Sequence, residues 1–362
     1  MKPSIPHRFP AAFLTAFLCL ICAISHGAAE GQSPNKTEGA PAGAASKNAE
    51  KTPAVSSAVS KATTSDADST KRNPTAKTVR LLTIGNSFSA NATRYLGDLA
   101  KAGGNVLIHR PIVVGGASLE LHAGRMLANE KDPQDKAGLY TNGRGLKEQL
   151  QFDKWDFVTI QQASLKSHDL ATYQPFATQL RDSIRQNAPQ AELLLHETWA
   201  YRVDDPRFTQ PSGKAGEPKT QQEMYQGLNA ACAAVAKDLG VRRLPVGAAF
   251  FLADTDAQWG FRPDAQFDPQ TAQAAALPKE THSLHKGWNW KAQKDGTQTL
   301  GMDGHHANVA GEYLGACVWY EVLFGESAVG NTFVPPRVEP TYARFLQETA
   351  HRAAAQNSPP KK

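Results

Sequence analysis

The sequence predicts an α/β protein: one three-layer α/β/α body on a parallel sheet of about five strands. Three observations lead there. Short, continuous apolar runs alternate with longer stretches of helical spacing, the pattern of strands covered by helices on both faces. The chain has 362 residues, 41% hydrophobic and 20% charged, far above the length at which a core needs disulfide or metal staples. No internal repeat and no second shift of composition divides the stretch from about residue 78 to residue 350.

The elements follow in order. Residues 79–84 (Val-Arg-Leu-Leu-Thr-Ile) form a first strand that stops at Gly85. Residues 90–102 have helical spacing, with Tyr95, Leu96 and Leu99 on one face. Residues 105–114 are a second strand, closed by Gly115 and Gly116, and residues 155–161 a third. A helix over 172–186 leads to a fourth strand at 191–195, apolar but for Glu192, that runs on to His196. An Ala-rich helix over 221–239 stops at Gly240, residues 243–251 give a fifth strand, and a helix over 309–324 stops at Gly325. Residues 254–300 are polar and rich in Gln, Asp, Trp and His, which suggests an insertion near the site. In such a sheet the site lies at the carboxyl ends of the strands.

The two ends are different material. Lys2, His7 and Arg8 precede an apolar run over 9–24, and small residues follow. That is the pattern of a secretory signal peptide over 1–29, cut after Ala28 or Ala29. The run is shorter than the roughly 20 residues of a membrane span, so no stable membrane insertion is expected after cleavage. Residues 30–77 are built of Ala, Ser, Thr, Lys, Pro and Gly with no aromatic residue. They read as a disordered tether, because they cannot bury enough surface to offset their ordering entropy. Residues 351–362 read as a polar tail. The expected location is secreted or periplasmic. Lys plus Arg is 39 against 34 Asp plus Glu, too small an excess to suggest a nucleic-acid partner. Of the four cysteines, Cys232 and Cys317 lie in the body, each in a helical pattern beside Ala, where a buried free thiol is expected.

The chemistry gathers at two places. Gly85-Asn86-Ser87 puts a serine at a strand-to-helix turn on the carboxyl edge of the sheet. Free N–H groups and the positive end of the helix dipole lie there, which suits a nucleophile whose attack creates an oxyanion. An isolated serine at that position would only cap the helix. Far along the chain, Asp303-Gly304-His305-His306 precedes the last predicted helix. Asp and His three apart on a loop can turn to one side, the imidazole taking a proton and the carboxylate orienting it. His282, His285, His305 and Asp303 lack the spacing of a zinc site, so neither metal nor cofactor is expected.

Together these blocks resemble the SGNH hydrolases, the GDSL esterase/lipase superfamily, over about residues 79–325. The resemblance implies a flavodoxin-like sheet, with Ser87 as nucleophile, His306 as base and Asp303 as its orienting acid. It also implies an oxyanion hole of three donors: the Ser87 N–H, a glycine after strand two and an asparagine after strand three. Gly116 is the favoured glycine, with Gly115 beside it. The asparagine is missing, because strand three ends in Ile160-Gln161-Gln162-Ala163-Ser164. Gln161 or Gln162 is expected to donate in its place; strand alternation lets only one of the two face the site. Thr198-Trp199-Ala200-Tyr201 resembles a block of a poorly characterised branch of that superfamily. Trp199, Tyr201 and His122 are candidate substrate contacts.

The expected function is a secreted serine esterase acting through an acyl-enzyme on a small-molecule or polysaccharide ester, with deacetylation of polysaccharide foremost. An acyltransferase with the same triad, or a glycan-binding module without chemistry, would share the pattern.

Overall fold

The computed structural model describes residues 76–357. The expectations for 1–29, for 30–75 and for the end of the tail at 358–362 fall outside the described residues. Seven strands and ten α-helices follow in chain order: β1 (Thr78–Gly85), α1 (Ser87–Ala92), α2 (Leu96–Ala102), β2 (Val106–Val113), α3 (Leu119–Lys131), α4 (Leu146–Gln151), β3 (Phe157–Gln161), α5 (Phe176–Asn187), β4 (Glu192–His196), α6 (Pro206–Thr209), α7 (Gln221–Leu239), β5 (Arg242–Leu244), α8 (Val246–Asp254), β6 (His285–Ala292), β7 (Gln298–Ala307), α9 (Val309–Phe324) and α10 (Pro340–Gln356).

β1 to β5 form one parallel sheet in the order β2-β1-β3-β4-β5. This is the expected five-stranded, flavodoxin-like order. Period-2 alternation builds its two cores. Val79, Leu81 and Leu194 point to one face, against α1, α2, α8, α9 and α10. Leu82, Ile84, Val158, Ile160, Leu193 and Leu195 point to the other, against α3, α4, α5 and α7. The result is three layers. β1 connects outward to β2 on one side, while β3 lies on the other. The crevice where those paths diverge is at the carboxyl end of β1, where Gly85 leads into Ser87.

Four expectations are corrected. The fifth strand is only Arg242–Leu244, and the apolar run after it is the helix α8. Pro245 separates them. A run that is apolar all round does not distinguish a buried strand from a buried helix, and most of α8 is buried. The helix expected over 90–102 is two helices, α1 and α2, with the Thr93 hydroxyl donating back to the Ser89 carbonyl at 2.8 Å between them. Residues 351–356, read as the start of a polar tail, complete α10, where Ala353 and Ala354 are buried. Asp303 and His306 lie within β7 rather than on a loop. β6 and β7 make a separate two-stranded antiparallel sheet that closes the polar insertion. Cys232 and Cys317 are buried free thiols.

Candidate active site

Ser87 opens α1, and Asn86 caps that helix with its side chain. The turn is tight: a Cβ at Gly85 would meet Ser89 Oγ at 2.6 Å and Gln161 Oε1 at 2.7 Å, so only glycine fits. The Ser87 hydroxyl lies 2.9 Å from His306 Nε2. His306 Nδ1 lies 3.0 Å from Asp303 Oδ2 and 3.1 Å from Oδ1. The expected nucleophile, base and acid thus come together, 219 residues apart along the chain from Ser87 to His306.

A strand would normally send residues three apart to opposite faces. β7 avoids this with an irregularity. Between the pairs Gly287–Asp303 and His285–Ala307, one residue of β6 faces three of β7. The chain bends there, and the His306 backbone N–H donates to Asp303 Oδ1 at 3.0 Å. Three contacts from the stretch after β4 hold the bend. Trp199 Nε1 donates to the His305 carbonyl at 2.8 Å. The Arg202 backbone N–H donates to the Gly304 carbonyl at 2.8 Å. His285 Nε2 lies 3.1 Å from the Ala200 carbonyl. From the nucleophile's own helix, Asn91 Oδ1 accepts the Ala307 N–H at 3.3 Å.

Burial alone would raise the Asp303 carboxyl. The hydrogen bonds from His306, with the charges of His305 and His306, outweigh it and hold the group well below the usual carboxylate range. It is therefore a fixed negative charge behind the imidazole. His305 Nδ1 also reaches Asp303 Oδ1, at 3.2 Å. Burial lowers the His305 pKa against the pull of Asp303. Asp303, His305 and His306 keep their ligand atoms within 4.8 Å of one another, close enough to share a metal ion.

Ser87 and His306 line a cavity of about 200 Å³ with Gly116, Ala163, Ser164, Leu165, Tyr201 and His305. Gly116 thus borders the same cavity as Ser87. Its φ of +65° belongs to the left-handed region, and a Cβ there would meet nothing within 4 Å, so conformation rather than space calls for glycine. Leu165, Tyr201 and His305 also border a cleft of about 770 Å³. Its lining also includes Arg207, Lys214 and Glu217 together with Pro211, Pro218 and Met302.

Neither glutamine borders the cavity, so the expected substitute oxyanion donor is corrected. Gln161 Nε2 donates to Asn86 Oδ1 at 2.7 Å, and its Oε1 lies 3.1 Å from His196 Nδ1. Gln162 Oε1 accepts from Leu119 N at 3.1 Å and Ala163 N at 2.8 Å, while Nε2 donates to the Thr172 carbonyl at 2.8 Å. Both amides are buried among these partners. Of the expected substrate contacts, Tyr201 borders the cavity, its hydroxyl 2.9 Å from Ser164 Oγ. Trp199 does not, because it is buried between the rings of Phe88 and Phe250 at 4.3 and 4.4 Å. His122 is buried behind the nucleophile turn, with Nε2 3.2 Å from the Gly85 carbonyl and Nδ1 3.0 Å from the Tyr140 hydroxyl. Burial pushes its pKa down to about 4.

Sequence reasoning missed Leu165 and the place of His305 on the rim. His305 had a visible signal, standing between the acid and the base. Leu165 had none, being an ordinary residue after a strand end.

Residues 80–258 match the family model described as "Domain of unknown function (DUF4886)". That match includes Ser87 and Gly116 and ends before β6 and β7, which carry Asp303 and His306. No curated protein sequence matches the chain. The crystal structure of a DUF4886 family protein from Bacteroides uniformis is similar, with 25% identity and a TM-score of 0.58, covering 77% of this chain and 95% of that one. Two more distant similarities are to a protein from Slackia heliotrinireducens provisionally described as an SGNH hydrolase (21% identity, TM-score 0.41, 67% of this chain and 98% of that one) and to one from Parabacteroides merdae provisionally described as a GDSL-like lipase (12%, 0.38, 69% and 98%). Residues 80–258 of this chain thus match the DUF4886 family, on an α/β fold whose five-stranded parallel sheet is flanked by helices.

Proposed function

We propose that this protein is a serine hydrolase that cleaves esters of short acyl groups through an acyl-enzyme. The observation that carries the proposal is the Ser87–His306–Asp303 chain of hydrogen bonds, 2.9 Å and then 3.0 Å, opening on a small cavity. Ser87 Oγ forms a bond to the ester carbonyl carbon as its proton passes to His306 Nε2. The Ser87 and Gly116 N–H groups hold the oxyanion. The bond to the alcohol oxygen then breaks, and His306 returns the proton to the leaving alcohol. Water repeats the sequence on the acyl-enzyme and releases the acid. Asp303 keeps the imidazole in one orientation and stabilises its charged form.

The cavity's size supports acetyl-like acyl groups over long chains. The cleft beyond Tyr201 and His305 mixes charged side chains such as Arg207, Lys214 and Glu217 with apolar ones such as Leu165, Pro211 and Met302, which supports an alcohol portion that has both hydroxyl groups and ring faces, such as a sugar polymer. The leader-like residues 1–29 support an exported enzyme.

The test is hydrolysis of p-nitrophenyl esters from acetate to octanoate by the wild type and Ser87→Ala. Activity should be highest on acetate, fall with chain length and vanish in the variant. Failure of the wild type to be labelled at Ser87 by a fluorophosphonate would sink the proposal.

A further inference from the structure

The amide of Gln161 is spent entirely inside the protein, and its partners have a fixed polarity. Asn86 Oδ1 accepts the Phe88 N–H at 2.9 Å, and Asn86 Nδ2 donates to the Ala117 carbonyl at 2.9 Å. A backbone N–H only donates and a carbonyl only accepts, so these two contacts settle which way the Asn86 amide faces. Its Oδ1 is then an acceptor for Gln161, which must present Nε2, at 2.7 Å. Gln161 Oε1 is left facing His196 Nδ1 at 3.1 Å, and that nitrogen must carry the proton. The whole run is buried. His196 stays neutral, because burial pushes its pKa down to about 3. The polarity of two peptide groups near Ser87 is thereby carried across β1 and β3 to a histidine at the end of β4.

Asn86 is the hinge of this run. One side of its amide holds the first turn of α1, which carries Ser87; the other holds the turn that presents Gly116. The Asn86 side chain therefore ties the turn of the nucleophile to the turn of the glycine donor, beside the Val114 N–H bond to the Gly85 carbonyl at 3.0 Å, and Gln161 fixes that side chain. Resting on the serine-hydrolase reading, we propose that Gln161 and His196 are positioning residues: acting through Asn86, they hold the nucleophile turn and the Gly116 turn at the separation the oxyanion needs. Gln161 serves the oxyanion without touching it.

The test uses the full-length chain. Histidine labelled with ¹⁵N reports the tautomer of His196 by NMR, assigned by the signal lost in His196→Phe. The expected result is a neutral ring protonated at Nδ1. Kinetics on p-nitrophenyl acetate then compare the wild type, Gln161→Met, Asn86→Ala and the double variant. Gln161→Met keeps the length of the side chain and removes both hydrogen bonds. Its kcat should fall by about 10- to 100-fold, the cost of slight misplacement of reacting groups, with KM nearly unchanged. The double variant should lose little more than Asn86→Ala alone, because both changes break one unit. If Gln161→Met does not fold, His196→Phe removes the donor to Oε1 and should show the same kcat loss in weaker form. A ring protonated at Nε2, or a folded Gln161→Met with wild-type kcat, overturns the proposal. Ser87→Ala run in parallel separates the two failures: activity independent of Ser87 refutes the hydrolase reading, while the NMR result decides the relay on its own.

Discussion

The backbone N–H of Arg202 donates to the Gly304 carbonyl at 2.8 Å, between Asp303 and His306 in the chain. The same residue buries its guanidinium completely. Nε and Nη2 form a fork on Asp204 at 2.6 and 2.9 Å, and Nη1 reaches Glu280 at 2.6 Å and Ser283 Oγ at 3.1 Å. Arg202 therefore clamps the stretch after β4, the residues ahead of β6 and the bend of β7. Removing one partner of a buried ion pair costs about 3–5 kcal/mol. Asp204 and Glu280 remain 28% and 18% exposed, which places Arg202→Met at the lower end of that range. Thermal unfolding should show a loss of several degrees, with kcat reduced as well. Arg202→Lys should recover little, since an ammonium cannot make the fork. An unchanged Tm in Arg202→Met would mean that Trp199 and His285 hold the bend without it.

Asp303→Asn tests the orienting acid. An amide preserves the shape but offers His306 Nδ1 either the wrong polarity or a weaker partner. In serine hydrolases of this design that exchange costs about 10⁴ in kcat. The expected result here is a loss of that order with KM little changed, measured on p-nitrophenyl acetate. A loss below tenfold would show that the imidazole is held well enough by other contacts.

Gln162→Ala should act on stability alone. Its Oε1 is the acceptor for the Leu119 and Ala163 N–H groups. Each buried donor left unpaired costs about 1–3 kcal/mol. Tm should fall by several degrees while kcat of the folded fraction stays at the wild-type level. The contrast with Gln161→Met is the point of the measurement, because adjacent residues at one strand end are expected to separate into a stability effect and a rate effect.

Asp254 gives the fold a pH dependence. Its side chain is buried at the end of α8, with Oδ2 accepting from Gln221 Nε2 at 2.9 Å and His285 Nδ1 lying 4.0 Å away, beyond hydrogen-bond reach. Burial raises its pKa to about 7, far above the value near 3.8 of an exposed aspartate. Between those values the folded chain keeps a proton that the unfolded chain has released, so stability falls as pH rises through that window and the contribution is gone above about pH 7. Glu197, buried beside Arg243, is raised to about 7 and acts in the same direction. Melting curves from pH 5 to pH 8 should show Tm declining for the wild type and declining less for Asp254→Asn. Equal slopes would refute a proton held at Asp254.

The sequence reading was strongest where the signal is local. Gly85-Asn86-Ser87 reads as a turn that carries a candidate nucleophile, and the structure places Ser87 at that turn within hydrogen-bond reach of His306, with Asn86 rather than a serine capping the helix. It failed where one residue's meaning depends on partners far away. Gln161 looked like an oxyanion donor because it ends a strand; its partners Asn86 and His196 lie on two other strand ends. Trp199 looked like a cleft aromatic, yet Phe88 and Phe250 enclose it. α10 had a readable signal that went unused. Tyr342, Phe345, Leu346, Thr349, Ala350 and Ala353 follow helical spacing, and all are buried. The bend in β7 had no signal, because which residues of β6 pair with it is not written in β7 itself.

The separation of the triad between the first strand and the late hairpin has a consequence for the order in which the protein is made. Ribosomes deliver Ser87 early and His306 late, 219 positions further along the chain. On the serine-hydrolase reading, until β7 has been synthesised and has docked on the stretch after β4, the serine has no base and its hydroxyl is as unreactive as any other. On that reading a growing chain carries its nucleophile in a silent state, and chains broken off before His306 never acquire activity.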